Sequence, residues 1–166
     1  AQSPSASAQP INITQSVDAP MSNRDRLLTQ GLAGITWPNG EALGWRVQGM
    51  VDDYTGYAMI TVEVAPGLRS ADLSNAVIDM AYKLAVATVQ ADKGVQSLTV
   101  RAVTDVDVDG KRMSLLAFRG NTTREHLDYY LKRGLQPDRR TIWEHVFATT
   151  WWNPSVPTGV EQEQTQ

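Results

Sequence analysis

The sequence predicts an α+β domain in which an antiparallel, hairpin-built sheet carries two main helices on one face. Three observations support this class. One long stretch has helical periodicity throughout, several shorter stretches alternate apolar and polar side chains, and strong turn signals separate them. The order of elements is ββα-ββα-like, with a short N-terminal helix before it and a candidate C-terminal strand after it.

The principal helix is predicted over Ser70–Lys93. Ser70 can cap its N-terminus, and Gly94 stands where a helix commonly ends. One broad apolar face is formed by Leu73, Ala76, Val77, Met80, Ala81, Leu84, Ala87 and Ala91.

A second apolar flank on the same helix is formed by Tyr82, Val86 and Val89, where a polar stripe would be expected. One flank can cover the sheet, so the other needs a second cover. The short helix predicted over residues 22–33, with Ser22 as its cap, is the best internal candidate. A partner subunit is the alternative, because large exposed apolar patches usually mark interfaces.

Two hairpins are predicted on either side of the principal helix. The first has strands over residues 44–52 and 57–65. The second alternates from residue 96 to residue 108, turns at Asp109-Gly110 and returns over residues 111–118. The alternation assigns Arg101 to the polar face of its strand.

A second main helix is predicted over Thr122–Arg133, where Thr122 and Glu125 match a capping box and Gly134 follows the last turn. The aromatic and β-branched stretch up to Trp152 favours a strand. Asp138 as an N-cap keeps a helix open as the alternative.

The length of 166 residues suits one domain with two tails. We expect a disordered arm over residues 1–20, a single domain over residues 21–152 and a disordered polar tail over residues 153–166. The stretch from Ala1 resembles a mature end left by signal peptidase, which predicts a periplasmic or secreted protein. Removal of an initiator Met and a trimmed chain are the alternatives.

The composition excludes several kinds of site and several classes of protein. The chain has no Cys, which excludes disulfides, thiol nucleophiles and Cys-ligated metals. No apolar run is long enough for a transmembrane segment. The net charge is −3, and the arginines of the second half alternate with acids, so no nucleic acid is expected as a partner. No cofactor or metal ion is expected either.

The candidates for chemistry are few. Asp105, Asp107 and Asp109 form a row that could bind a cation weakly, but the twelfth position of a calcium loop would be Leu116, so a solvated hairpin end is favoured. His126 and His145, each preceded by Glu, could converge with a carboxylate. Their spacing does not require it, and no catalytic motif occurs.

The C-terminal segment is the most aromatic part of the chain. Trp143, Trp151 and Trp152 lie within it, and adjacent tryptophans in a strand must face opposite ways. An outward Trp can anchor a partner. Together with Tyr82, Val86 and Val89, these residues form the predicted partner-binding set.

The favoured function is therefore non-catalytic. We expect an exported protein–protein interaction or structural subunit, of the kind found in bacterial envelope assemblies such as secretion or conjugation systems, that binds other subunits or itself. The alternative is a small-ligand-binding or hydrolytic domain that uses His126, His145 and nearby carboxylates. A deep pocket that holds both histidines would favour this alternative, whereas histidines that are exposed and apart would favour the interaction subunit.

Overall fold

The computed structural model describes residues 21–68 and 72–159 of the chain. In chain order the elements are α1 (Asn23–Leu32), β1 (Val47–Val51), β2 (Tyr57–Glu63), α2 (Leu73–Ala91), β3 (Ser97–Val108), β4 (Lys111–Thr123), α3 (Arg124–Leu131), α4 (Arg139–Thr141) and β5 (Thr149–Trp152). A π-helical turn (Ile142–Val146) continues α4 toward β5. The predicted α+β class is confirmed, and residues 139–152 contain both a helical segment and a strand.

The five strands form one sheet in the order β1-β2-β3-β4-β5. Neighbouring strands are antiparallel except β2 and β3, which are parallel. The sheet is therefore mixed, and the expectation of a wholly antiparallel sheet is corrected at this pair. The physical reason is that α2 carries the chain from the end of β2 back to the start of β3, a crossover that produces parallel neighbours.

The helices pack on one face of the sheet, which we call the covered face. Its central side chains are fully or almost fully buried and are Ala58, Ile60, Val62, Leu98, Val100 and Phe118. From α2, Met80 and Leu84 join the same core, and Leu127 of α3 is completely buried. The two predicted main helices thus lie on one face.

The helix ends differ from the predictions by a few residues. Ser70 lies outside the described residues, and α2 begins at Leu73 and ends at Ala91. The N-cap of α3 is Thr123, whose side chain accepts from the backbone N–H of His126, rather than Thr122. The Thr122 hydroxyl instead donates to the carbonyl of Val146 at 2.6 Å, inside the core.

The predicted turns are present. Asp109 and Gly110 both have positive φ, at 52° and 79°, which is the backbone that a two-residue hairpin of the I′ type requires. Ser22 caps α1 by accepting from the N–H of Asp25. Gly134, with φ of 66°, ends α3 in the left-handed conformation expected of it.

The segment after β5 packs against the domain. Val156 is buried, Asn153 donates its backbone N–H to the carbonyl of Ala117, and Ser74 donates to the carbonyl of Thr158. Residues 153–159 therefore differ from the polar tail predicted to begin at Asn153. The predicted arm over residues 1–20 and residues 160–166 lie outside the described residues.

Helix α1 closes one edge of the sheet. Asp25 Oδ1 accepts from the backbone N–H of Val51 at 2.8 Å, and the Thr29 hydroxyl bonds both the N–H and the carbonyl of Gly49. A Cβ at Gly49 would lie 2.8 Å from Leu28 Cδ2, so the glycine lets α1 approach β1 closely. Side chains of α1 therefore occupy backbone groups of the edge strand that could otherwise pair with another chain.

None of the helices in the described part of the chain has the length and apolarity that a membrane span needs.

Candidate functional site

The second face of the sheet has no helix packed on it among the described residues, and we call it the open face. Side chains on both edge strands reach solvent, since Met50 of β1 is 50% exposed and Trp151 of β5 37%, and Tyr57 at the start of β2 is 36% exposed. The strand registers place on it Gln48, Met50, Tyr57, Met59, Thr61, Thr99, Arg101, Arg119, Asn121, Thr149 and Trp151. The open face is thus a five-stranded platform with mixed polar, cationic and aromatic side chains.

One row of directly paired residues crosses the whole platform. The row consists of Gln48, Thr61, Arg101, Arg119 and Trp151, one from each strand in order. The Arg101 guanidinium lies over Thr61 and donates to its hydroxyl from Nε at 3.2 Å and from Nη2 at 2.8 Å. The Arg119 guanidinium lies 5.6 Å from the ring centre of Trp151, a cation–π arrangement.

The two arginines in this row are direct cross-strand partners on the same face. Like charges in that arrangement repel and weaken the strand pair. Within the described residues, neither Arg101 nor Arg119 forms an ion pair with a carboxylate. The centre of the open face therefore carries two positive charges that the described part of the fold does not neutralise.

The neighbouring row is a hydrogen-bonded polar chain. The Thr99 hydroxyl donates to Asn121 Oδ1 at 2.8 Å and accepts from the hydroxyl of Tyr57 at 2.5 Å. Thr99 is almost completely buried beneath its neighbours, whereas Asn121 is exposed. These hydrogen bonds link the Tyr57 ring to Thr99 and Asn121, so the three side chains are held in place by the fold itself.

Acidic residues occupy one end of the open face. Burial raises the pKa of Glu63, Asp105 adds to that increase through its charge, and Arg46 opposes it. Arg112 lies 3.9 Å from both Asp105 and Asp107, which share this side of β3 as predicted. No group of three or more side chains placed to hold a metal ion is found in the described residues.

Most of the predicted partner-binding side chains are turned inward. Tyr82 is 8% exposed and Val89 2%, and Val86 is half-buried. Burial raises the pKa of the Tyr82 hydroxyl, and the nearby Tyr130 of α3 adds to that increase. The second flank of α2 is therefore enclosed largely by its own chain, and α3 contributes to that cover where only α1 was predicted to do so.

The three C-terminal tryptophans have different surroundings. Trp143 is half-buried, with its ring centre 6.0 Å from that of Phe118. Trp152 faces the covered side, half-buried, and its Nε1 donates to the carbonyl of Val156 at 2.8 Å. Trp151 points to the open face, as expected for one member of an adjacent pair. Of the predicted set, Trp151 is the residue best placed to touch a partner.

The two histidines line one surface concavity of about 550 Å³, together with Glu125, Tyr129 and Arg133. Both histidines are exposed, and His145 Nε2 lies 3.9 Å from Glu144 Oε1. The structure thus brings the histidines to one concavity, but among the described residues no group of three or more side chains is placed there to hold a metal ion.

Sequence reasoning does not select Arg101, Met50 or Tyr57, and it assigns Arg119 to a group of arginines interleaved with acids, for which solvated ion pairs are favoured over an anion-binding patch. The alternation in β3 did place Arg101 on the polar face, which was the available signal. The juxtaposition with Arg119 and Trp151 depends on strand registers that join distant parts of the chain, and those registers are not encoded in local periodicity.

Comparison of the chain with protein-family models, with curated proteins and with solved structures gave no match.

Proposed function

We propose that this protein is a non-catalytic interaction subunit that holds a partner protein on the open face of its sheet. The observation that carries the proposal is the platform itself, a five-stranded face without a helix in the described residues, with Met50, Tyr57 and Trp151 at its exposed positions. Aromatic and Met side chains at exposed positions, flanked by arginine, match the composition of protein interfaces.

The proposed partner surface is the open face and not the apolar flank of α2 that was predicted from the sequence. The apolar flank of α2 is enclosed, so it no longer requires an outside cover. The open face takes its place, and Trp151 is the residue common to both. The proposed partner is either a second copy of this chain or another subunit of a larger envelope assembly. We also propose the exported location predicted from the N-terminal stretch.

The hydrolytic alternative receives less support. Both histidines line one concavity, but they are exposed to solvent, where a general acid or base is neither desolvated nor held by a third group. A binding role through the ordered open face accounts for more of the geometry.

Site-specific photo-crosslinking in the native cells tests the proposal. A benzophenone amino acid is placed at Met50 or Thr149 on the open face. The matched controls carry it at the exposed Lys83 in α2 or Lys132 at the end of α3, the helices that pack on the covered face. The open-face positions are expected to give discrete adducts whose mass identifies another subunit or a second copy. Adducts from the control positions alone, or none from Met50 and Thr149 at normal protein levels, would contradict the proposal.

A further inference from the structure

We propose that the partner binds with a carboxylate-bearing extended segment, seated across the arginine row formed by Arg101, Arg119 and Trp151. This inference rests on the proposed function and names the chemistry of the partner at the same surface. The carrying observation is the cross-strand pair Arg101 and Arg119, whose charges no carboxylate of the described residues neutralises.

Charge complementarity selects the occupant. Two guanidinium groups on adjacent strands, whose backbones lie roughly 5 Å apart, can both reach one carboxylate or two closely spaced ones. In the free protein, Arg101 and Arg119 repel each other. A carboxylate bound between them accepts charge-assisted hydrogen bonds from both guanidinium groups and removes this repulsion in the complex. The Trp151 ring, already in contact with Arg119, offers an apolar surface for the next side chain of the segment.

The arginines are positioned for this role before binding. Two hydrogen bonds to the Thr61 hydroxyl fix Arg101, and the Trp151 ring lies beneath Arg119. Neither the Thr61 hydroxyl nor the Trp151 ring carries a negative charge, so both guanidinium groups keep their full positive charge. Each also keeps N–H groups that can donate to a carboxylate. Preorganised side chains of this kind reduce the entropy lost on association.

Single-stranded nucleic acid is a different occupant, which the same arginine and aromatic residues could in principle stack against. The observations disfavour it. Glu63, Asp105 and Asp107 lie on the same face beside the arginine row, and the chain carries a net charge of −3. A long polyanion would meet those acids, whereas a short acidic segment need not extend that far.

Fluorescence anisotropy tests the inference with the full chain. The probe is a labelled peptide of alternating Glu and Val, about eight residues long, since an extended chain covers roughly 3.3 Å per residue and the sheet is roughly 20 Å wide. Matched probes are a Lys-Val peptide and an oligothymidylate of similar length. The Glu peptide is expected to bind, to weaken with added salt and to weaken about tenfold or more in R101Q and in R119Q.

Arg112→Gln is the matched control variant, because Arg112 lies on the same face but beside Asp105 and Asp107. We expect it to bind the Glu peptide like the unsubstituted protein. Loss of binding in R112Q equal to that in R119Q would show a diffuse charge effect and overturn the inference. So would tighter binding of the oligothymidylate that is lost in the same two arginine variants.

The chain's own C-terminal stretch, residues 160–166, is acidic at Glu161 and Glu163. A full-length variant with both changed to Gln is expected to bind the peptide unchanged. Stronger binding would show that this stretch occupies the row and would overturn the inference. If no Glu peptide binds while crosslinks still form from Met50 and Thr149, the chemistry assigned to the partner is wrong and the interaction role stands.

Discussion

The two faces of the sheet are made by alternate residues of the same strands, and they differ in how their charges and apolar groups are completed. On the covered face, Ile60 and Val100 meet side chains of the helices and are fully buried. On the open face of the same two strands, Met59 is paired with Thr99 and Arg101 with Thr61, and no helix of the described residues covers them. Alternation along a strand thus assigns each residue to a face of the sheet, whereas the packing of helices on that face depends on the connections between strands.

Truncation of adjacent residues on β2 gives the largest expected contrast. Ile60→Ala removes a completely buried side chain from the covered face and is expected to lower the free energy of unfolding by about 2–5 kcal/mol. Met59→Ala on the open face is expected to lower it by less than about 1 kcal/mol, because Met59 is only half-buried. Urea unfolding measures both. Equal losses would show that the open face is packed like the core.

A pair of glycine substitutions contrasts the core side of β4 with an exposed helix position. A Cβ at Gly120 would lie 2.8 Å from Phe118 Cζ and 2.9 Å from Phe147 Cδ1, both on buried rings. Gly120→Ala is therefore expected to destabilise the protein by about 1–3 kcal/mol. Gly31→Ala in α1 meets nothing within 4 Å and is expected to stabilise by up to about 1 kcal/mol.

Thermal unfolding of the two glycine variants checks the sign of each change. The rings beside Gly120 are those of Phe118 and Phe147, which pack edge to face at 5.9 Å. Neither ring can move away from an added Cβ without disturbing this contact. A melting temperature for Gly120→Ala at or above that of the unsubstituted protein would show that this part of the covered face is loosely packed.

Much of the covered face could be predicted from the sequence. The helical periodicity around Met80, the hairpin turn at Asp109-Gly110 and the caps at Ser22 and Gly134 are local signals, and the structure confirms them. The two-sided apolar surface of α2 and its cover by the same chain are also predictable from the sequence. The contribution of residues near Tyr130 and Pro137 to that cover is not, because these residues come from later in the chain and no local pattern links them to Tyr82.

The open face was the harder part to predict. Tyr57 is a residue type common in core strands, so sequence alone does not show that it reaches solvent. For Trp151 and Trp152 the sequence predicts that one faces outward, but not which one. Arg101 and Arg119 are ordinary surface residues until the register of β3 with β4 places them opposite each other. The proposed site thus arises from pairings across strands, which short-range patterns do not specify.

The Arg24–Asp92 ion pair attaches α1 to the C-terminal end of α2. Arg24 donates to both oxygens of Asp92, at 2.6 and 2.9 Å, and also to Asp53. The hydrogen bonds from Arg24 hold the pKa of Asp92 below its ordinary value of 3.8, and the N–H of Gly94 assists. Asp92→Asn is therefore expected to lower stability by about 1–3 kcal/mol at neutral pH.

The pH dependence of Asp92→Asn has a defined sign. Because the folded-state pKa of Asp92 is lowered, its contribution is complete above about pH 3.8 and is lost as the pH falls through the folded-state pKa. The difference between the two proteins should therefore shrink below that pH. As a control, Asp107→Asn removes an exposed partner of Arg112 on the open face and is expected to change stability little at any pH. A constant difference for Asp92→Asn down to the acid limit would argue against the ion pair as the cause.

Substitution of Glu63, on the open face, is expected to give the smallest effect on stability. Burial and the charge of Asp105 raise its pKa above the ordinary value of 4.5, so the folded protein binds this proton more tightly than the unfolded chain. Stability contributed by the protonated group is therefore lost as the pH rises from about 4.5 through the folded-state pKa. Glu63→Gln should stabilise the protein slightly at neutral pH and have little effect well below pH 4.5.

Paired measurements at two pH values isolate this effect, with the exposed Glu41→Gln as the control for loss of one negative charge. A gain at neutral pH for Glu63→Gln but not for Glu41→Gln would show that the open face holds a carboxylate in an unfavourable position next to Asp105. Loss of stability instead would mean that Arg46, which opposes the increase, outweighs burial at this position. The acidic end of the platform would then be neutralised within the chain, and the arginine row alone would carry charge left for a partner to match.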